Sequence, residues 1–372
     1  MKQYLFVGTR KGAWIYTSNK ARKKWEVDGP HHLGGIVNHL VLDPRDQKTL
    51  VMAIAAGHLG PTIMVSTDFG KNWKESPRPP AFPKSNEPET GRAVSHNFWI
   101  SPGHESEPGV WWAGSSPPGL FRSEDGGVTW DSVAGWNENP MYHEWCPNAP
   151  TPDGELLAQI SVCSQDPNHI YLCTSSGGVF ETTDKCKTWK PLNKGVEVNF
   201  GPEKYPEFGQ DAHQIAVHPA DNNRIYQQNH CGIYRIHRPD DTWVRIGNNM
   251  PKEVGDIGFS VVVNPRDVDM AWVWPMDGTD IWPRTSPDGK PAAYMTRDGG
   301  ESWERQDKGL PAEQGWFTVK RQAFVGDGMD PVGLYIGTTG GEIWCSPNEG
   351  AAWHQVTRHL PEIYSLNAIA VD

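Results

Sequence analysis

The chain has 372 residues, 18 tryptophans and a formal net charge of −11. The acidic balance argues against nucleic acid or an anionic membrane as a partner, because both attract basic surfaces. The six cysteines show no CxxC spacing, so we expect reduced thiols. With no apolar run typical of a signal peptide or a membrane span, the expected location is the cytoplasm.

A motif of the form S-x-D-x-G-x-x-W recurs along the chain, and its clearest copy is SEDGGVTW at 123–130. Four further copies occupy 66–73, 182–189, 296–303 and 346–353, and weaker copies end at Trp25 and Trp243. Successive tryptophans of the motif lie 48 to 60 residues apart, which indicates a repeat protein. We expect the hydroxyl and the carboxylate to bond the backbone of a turn that the tryptophan anchors to a sheet.

Each repeat divides into four short strands. The first ends before a proline, as in 38–44, 96–102, 213–219 and 259–265. An apolar second strand follows, the third leads into the motif, and the fourth begins near the tryptophan. The N-terminus supplies three strands, and residues 365–372 supply the missing first one. The sequence therefore predicts a single domain, 1–372: an all-β, seven-bladed propeller whose C-terminal strand closes the ring in the N-terminal blade.

Antiparallel strands place the motif turns at one end of each blade and the loops between second and third strands at the other. Histidines and an aspartate gather at that second end, and the candidate catalytic residues are His96, Asp211, His213 and His230. Imidazoles beside a carboxylate suit general acid–base chemistry, and they could also hold a divalent metal ion. The alternative is that each histidine only bonds a neighbouring strand. We expect the His213 ring to be solvated at the channel mouth.

Further residues at the same end are candidates for binding a substrate. Arginines can grip a carboxylate or a phosphate, and tryptophans in loops, namely Trp145, Trp282 and Trp316, can stack on a sugar. The alternatives are solvated salt bridges and packing over the blade core. The candidate substrate-binding residues are Arg10, His39, His58, Glu144, Arg284, Trp316 and Arg321.

The motif copies, together with FVGTRKGAWIY at 6–16, YPEFGQDAHQIAVHP at 205–219 and IYQQNHCGIYR at 225–235, resemble bacterial sialidase-like propellers with BNR, or Asp-box, repeats. The resemblance implies a propeller grouped with the glycosyl hydrolases. Sialidases have six blades and an arginine in an F/Y-R-I-P context, whereas Arg10 here stands in VGTRKG. We therefore predict no sialidase activity.

The leading expectation is a hydrolase that acts on a glycoside or a sugar acid through a His/Asp/Arg pocket opposite the motif turns. One alternative is a non-catalytic propeller that binds a glycan or a peptide. Another is a metal-dependent lyase or hydrolase that uses the same histidines. The expected ligand is a carbohydrate or another small molecule, and the only cofactor considered is a divalent metal ion.

Overall fold

The computed structural model describes residues 1–57, 60–84, 91–147, 154–278 and 284–371. Within these residues, the strands form seven sheets of four antiparallel strands each. The chain is thus a seven-bladed β-propeller, as predicted. The helices described are a turn or so in length, and none of them is long and apolar enough to cross a membrane.

The strands follow the chain from blade to blade. Blade one combines β28 (Ile363–Val371) with β1 (Lys2–Thr9), β2 (Gly12–Asn19) and β3 (Trp25–His31). Blade two contains β4 (Ile36–Leu42), β5 (Leu50–Ala55), β6 (Pro61–Ser66) and β7 (Lys74–Glu75). Blade three contains β8 (His96–Pro102), β9 (Trp111–Ser116), β10 (Leu120–Ser123) and β11 (Asp131–Ser132). The short helices α1 (Ala134–Asn137) and α2 (Tyr142–Trp145) follow it.

Blade four contains β12 (Leu157–Val162), β13 (Ile170–Thr174), β14 (Gly178–Thr182) and β15 (Lys190–Pro191). Blade five contains β16 (Ala212–Val217), β17 (Arg224–Asn229), β18 (Gly232–His237) and β19 (Val244–Arg245). Blade six contains β20 (Gly258–Asn264), β21 (Asp267–Pro275), β22 (Ala293–Thr296) and β23 (Glu304–Gln306). Blade seven contains β24 (Phe324–Gly326), β25 (Leu334–Gly337), β26 (Ile343–Ser346) and β27 (His354–Thr357). Gly247–Asn249 and Pro287–Gly289 form 3₁₀ turns.

The chain divides into two compact units. Unit 1 comprises 1–33, 194–205 and 213–372, and it holds blades one, six and seven with nearly all of blade five. Unit 2 comprises 34–193 and 206–212, and it holds blades two, three and four. The first strand of blade five begins at Ala212, the last residue of unit 2, and continues into unit 1. The single-domain expectation stays a prediction.

Each unit has its own apolar core between neighbouring sheets. In unit 1, Trp272, Trp274 and Phe324 are almost fully buried in one cluster of blades six and seven. In unit 2, Trp136 and Phe180 are fully buried in a cluster of blades three and four. Burial of a large apolar side chain contributes roughly 1.5–3 kcal/mol, so aromatic residues on the strands dominate the packing.

The motif turns bond their own backbone as predicted. In the copy at 123–130, Gly127 N donates to Ser123 Oγ at 3.0 Å, and Thr129 N donates to Asp125 Oδ1 at 2.8 Å. The amide four residues after the Asp or Asn makes this second bond in all five good copies, at 2.8 to 3.1 Å. Burial alone would raise the pKa of Asp125, but the bonds from Thr129 and Ser123 outweigh it and lower that pKa. The turns are thus local hydrogen-bonded structures.

The C-terminal strand closes blade one, as predicted. β28 pairs antiparallel with β1 over eight residue pairs, from Lys2↔Val371 to Thr9↔Ile363. Leu366, which is 2% exposed, packs in a cluster with Leu5, Val7 and Ile363. The first and last strands of the described chain therefore share one sheet and one patch of core.

Candidate functional site

Blade five carries the predicted catalytic residues that the structure brings together. His213 lies near the start of β16, and His230 lies in the turn between β17 and β18. Because neighbouring strands run antiparallel, these two positions fall at the same end of the sheet. Asp211 directly precedes β16, and the ligand atoms of Asp211, His213 and His230 all lie within 4.8 Å of one another. We call these three residues the His/Asp cluster.

His213 is fixed by blade six. Its Nδ1 lies 2.6 Å from the carbonyl oxygen of Gly258, and its ring centroid lies 4.9 Å from that of Phe259. A carbonyl can only accept, so Nδ1 carries a proton, and in the neutral ring Nε2 has the lone pair. The expectation of a solvated His213 is wrong, because the residue is only 2% exposed.

Glycine at position 258 permits this close contact between blades. A Cβ there would lie 2.7 Å from the carbonyl oxygen of Trp274 and 3.1 Å from Gln228 Oε1. The same Gln228 donates from Nε2 to the carbonyl of Asp256 at 3.0 Å. The backbone segment whose carbonyl accepts the hydrogen bond from His213 is therefore held in place by the second strand of blade five.

His230 occupies a two-residue turn whose geometry is set by its flanking residues. Asn229 pairs with Gly232 across the turn, and Asn229 Oδ1 accepts a bond from Cys231 N at 3.0 Å. Gly232 has a φ of +137°, and a Cβ there would lie 2.6 Å from Asp256 Oδ2. Asn at the first position and Gly at the last are residues that such tight turns favour. The sequence N-H-C-G thus presents His230 at the tip of the hairpin.

An ion-pair network supports this turn. Arg245 Nε and Nη2 contact the two oxygens of Asp256 at 2.9 and 3.1 Å, and Nη1 contacts Glu197 Oε2 at 2.8 Å. Burial would lower the pKa of Arg245, but its bonds with Asp256 and Glu197 raise it. Tyr234 Oη adds a bond to the carbonyl of Cys231 at 3.1 Å. A bidentate, half-buried pair of this kind restricts motion more than an exposed one does.

Aromatic rings flank the histidines on both sides. Phe200, which is 56% exposed, meets His230 edge to face at 5.5 Å between centroids, and His230 meets His213 at 5.9 Å. On the far side, the guanidinium carbon of Arg321 lies 5.9 Å from the ring centroid of Phe259. The predicted Arg321 therefore lies next to a residue that contacts the His/Asp cluster. Its predicted role in binding an anionic group stays a prediction.

Two other predicted arginines of unit 1 have different surroundings. Arg10 is exposed, and it pairs with Glu362 at 3.5 Å. Lys320 contacts the same carboxylate at 3.3 Å. Arg284 is 7% exposed, and its Nη1 donates to the carbonyl of Asp277 at 2.9 Å. A buried arginine bonded to backbone favours a structural role for Arg284.

Trp316 carries an exposed indole that neighbouring residues hold in place. It is 57% exposed, and its Nε1 donates to Gln314 Oε1 at 2.9 Å. One side of the indole packs on Gly289, where a Cβ would lie 2.9 Å from Trp316 Cε2. Gly315 N bonds the carbonyl of Gly289 at 2.7 Å. More than half of the Trp316 surface is therefore accessible to a ligand.

The remaining predicted residues belong to unit 2. His39 is 5% exposed and accepts a bond from Ile100 N on Nδ1 at 3.0 Å, and burial lowers its pKa to about 3. A neutral, buried imidazole favours a structural role for His39. His96 is half-buried beside Ser95, at 3.4 Å, and Glu144 is exposed on α2. His58 lies outside the described residues, so its predicted role stays a prediction.

Trp145 and Trp282 are the other two loop tryptophans that the sequence predicts to stack on a sugar. Trp145 is 5% exposed and stacks on Trp136 at 5.7 Å between centroids. It packs in the blade core, which is the alternative that the sequence left open. Trp282 lies outside the described residues.

Unit 2 also contains an open cavity of about 290 Å³ where β8 and β12 end. His104 lines it, and both ring nitrogens are engaged, Nδ1 with Ser106 Oγ at 2.7 Å and Nε2 with the carbonyl of Ser164 at 3.0 Å. Because both ring nitrogens of His104 are hydrogen-bonded within the protein, neither can serve as a base or a metal ligand in this cavity. We therefore place the candidate site at the His/Asp cluster.

Sequence reasoning missed the aromatic flank at Phe200 and the support at Arg245. An apolar residue in the polar segment KGVEVNFGPEK was the available signal for Phe200. Arg245 gave none, because its partners Glu197 and Asp256 lie 48 and 11 residues away. Pairings over such separations are not visible in one sequence.

No family model matches the chain. A xyloglucanase of a Paenibacillus species is 26% identical over 244 residues, which is 58% of this chain and 23% of that protein. An oligoxyloglucan-reducing end-specific xyloglucanase of Emericella nidulans is 23% identical over 338 residues, 82% of this chain and 38% of that protein. The chain thus spans well under half the length of these curated relatives.

Among solved structures, the GH74 xyloglucanase from Xanthomonas campestris aligns with a TM-score of 0.65 and 17% identity. The alignment covers 95% of this chain and 52% of that one. At this identity, the structural likeness shows the propeller fold alone. The chain is thus similar to xyloglucanases in sequence over part of their length, and to one of them in its propeller fold.

Proposed function

We propose that this protein is a carbohydrate hydrolase in which the His/Asp cluster activates water for attack on a glycoside or a sugar acid. The observation that carries the proposal is one carboxylate and two imidazoles with their ligand atoms within 4.8 Å. A base positioned in this way contributes typically 10²- to 10⁴-fold to a rate. His213 is held in one tautomer by the Gly258 carbonyl, so its Nε2 can accept a proton.

Two features of unit 1 support a sugar-derived substrate. Arg321 offers a positive charge beside Phe259, which suits the carboxylate of a sugar acid. Trp316 offers an exposed, firmly seated indole on which a sugar ring can stack. The named activity of the two xyloglucanase relatives supports a substrate of the xyloglucan kind. The repeated turns, which we interpret as Asp-box repeats, serve the scaffold.

The cluster contains a single carboxylate, whereas most glycosidases use a pair. The test therefore needs substrates of both chemical kinds. The panel consists of xyloglucan and its oligosaccharides, aryl glycosides, and lactones and methyl esters of sugar acids. Release of reducing ends, of phenol or of acid reports turnover.

His230→Ala is the variant to compare, with His237→Ala as its matched control. His237 is the last residue of β18, the strand that follows the His230 turn, and it is exposed. We expect His230→Ala to lose at least 100-fold in kcat/KM, whereas His237→Ala stays within twofold. Equal activity in the wild type and His230→Ala would overturn the proposal. Melting curves for both variants confirm that each is folded.

A second candidate is a non-catalytic carbohydrate-binding propeller, which the exposed indole of Trp316 favours. On this alternative, xyloglucan oligosaccharides bind without turnover, Trp316→Ala abolishes binding, and His230→Ala has no effect. If the protein is the hydrolase, Trp316→Ala instead raises KM with little change in kcat, because stacking remote from the reacting bond acts on ground state and transition state alike.

A further inference from the structure

We propose that Asp211, His213 and His230 bind a divalent transition-metal ion of the Zn²⁺ type. This inference deepens the proposed function, on which its chemical purpose rests. It replaces the imidazole base by a metal ion as the group that activates water at the His/Asp cluster, because a ring nitrogen that binds an ion cannot also take a proton. It can be tested without any substrate.

The geometry fits such an ion. Donor atoms bound to one Zn²⁺ at about 2.0–2.2 Å in a tetrahedral arrangement lie roughly 3.4 Å from one another. The three ligand atoms here already lie within 4.8 Å of one another. His230 is at the tip of a hairpin, so rotation of its side chain can close the remaining gap while the β16 backbone stays fixed.

The hydrogen bond of His213 is the kind that metal-bound histidines make. A ligating imidazole almost always donates its other N–H to a carbonyl or a carboxylate, which fixes the tautomer and makes the ligand more basic. His213 donates from Nδ1 to the Gly258 carbonyl at 2.6 Å, so Nε2 is the atom that faces the ion. Burial at 2% exposure holds this ring in place.

The support around His230 also suits a ligand. Asn229 and Gly232 define the turn, and the Arg245–Asp256 ion pair packs against Gly232. A site whose backbone is already fixed before the ion binds loses less conformational entropy on binding than a flexible site does. Rigid hairpin ends of this kind are better metal supports than long loops.

The donor set predicts which ions bind. Two imidazoles and one carboxylate suit Zn²⁺, Co²⁺ or Ni²⁺, whereas Mg²⁺ and Ca²⁺ prefer oxygen ligands. Three protein ligands leave a coordination position for water, as in catalytic rather than structural zinc sites. Such an ion lowers the pKa of bound water towards neutrality, which supplies hydroxide for hydrolysis.

The test begins with protein stripped by a chelator and dialysed. Titration with Zn²⁺ in a calorimeter should show one ion per chain, and Co²⁺ should give the visible absorption of a low-symmetry site. Mg²⁺ serves as the ion that should not compete. His230→Ala and Asp211→Asn should each weaken Zn²⁺ binding at least tenfold, whereas His237→Ala should bind as the wild type does.

His213 is left out of the variants because its burial makes misfolding a competing explanation. Zn²⁺ binding of equal strength in wild type and both variants, or no binding at micromolar Zn²⁺, would overturn the metal site. Hydrolysis that persists in stripped protein would leave the proposed function in place and remove the metal from it. Tight binding without turnover on the panel would keep the metal site and reject the hydrolase.

Discussion

Replacing Leu366 by alanine should destabilise the protein more than the same change elsewhere on β28. Leu366 is 2% exposed and pairs with Val7, and it belongs to a cluster that joins blade one to Tyr335 and Ile343 of blade seven. Removal of a buried leucine side chain costs about 2–5 kcal/mol, from lost transfer energy and the cavity left behind. That is a large share of a typical total of about 5–15 kcal/mol.

The control is Ile369→Ala on the same strand, where the side chain is only half-buried. The β-ladder is intact in both variants, so their difference isolates the packing of the closure. We expect Leu366→Ala to lower Tm by roughly 3–6 °C, since an unfolding entropy of about 2.1 cal/mol/K per residue makes about 1 kcal/mol correspond to about 1.3 °C in a chain of 372 residues. Ile369→Ala should lower it by less than half as much.

Removal of residues 365–372 tests the same closure more severely. It deletes seven of the eight pairs that β1 makes with β28, and it leaves β1 as an exposed edge that invites aggregation. Differential scanning fluorimetry and size-exclusion chromatography give the readouts. If the truncated chain and Leu366→Ala both melted within a degree of the wild type, the reasoning about closure would be refuted.

Three further outcomes are expected. Asp125→Ala should lower the stability by on the order of 1 kcal/mol, because it removes the exposed carboxylate that accepts two hydrogen bonds from Thr129. Turnover per folded molecule should not change. A loss of activity at unchanged Tm would contradict the structural role of the turn. Burial lowers the pKa of His39 to about 3, below its ordinary value of 6.5, so the folded state disfavours its protonation. Its stabilising effect is therefore complete above pH 6.5 and decreases as the pH falls towards 3. Tm measured over this range should fall less steeply in His39→Gln, and identical slopes would contradict this explanation. Finally, the pure protein should release no sialic acid from a fluorogenic sialoside, since Arg10 lies outside an FRIP context and pairs with Glu362; release that Arg10→Ala abolished would reverse this prediction.

The fold could be predicted because its determinants are local and repeated. The Ser123 to Trp130 turn needs only residues within eight positions of one another, and five copies fix the period. The closure followed from counting strands, because a blade with three strands needs a fourth. Position along an up-and-down sheet then placed Asp211, His213 and His230 at one end, and their ligand atoms lie within 4.8 Å of one another in the structure.

Burial at the site could not be predicted, because it depends on the neighbouring blade. His213 is bonded to Gly258, 45 residues further on, and His39 is bonded to Ile100, 61 residues further on. A histidine at a strand start looks the same in sequence whether the next blade covers it or leaves it in water. Trp145 illustrates the same limit, since a four-residue helix is too short to show a period yet buries the indole.

The hairpins of blades one and five show how one backbone can carry different chemistry. Both are two-residue turns, Thr9↔Gly12 enclosing Arg10 and Lys11, and Asn229↔Gly232 enclosing His230 and Cys231. In each turn, a side-chain oxygen of the first residue accepts a hydrogen bond from the backbone amide two residues later. The distance is 3.1 Å to Thr9 and 3.0 Å to Asn229. Each also ends in a glycine of positive φ, +101° and +137°. Because these flanking residues set the turn in both blades, its backbone geometry does not depend on the side chain at the first tip position. That position can therefore be arginine in one blade and histidine in another on the same backbone, and we infer that the choice of side chain there serves the chemistry of the site.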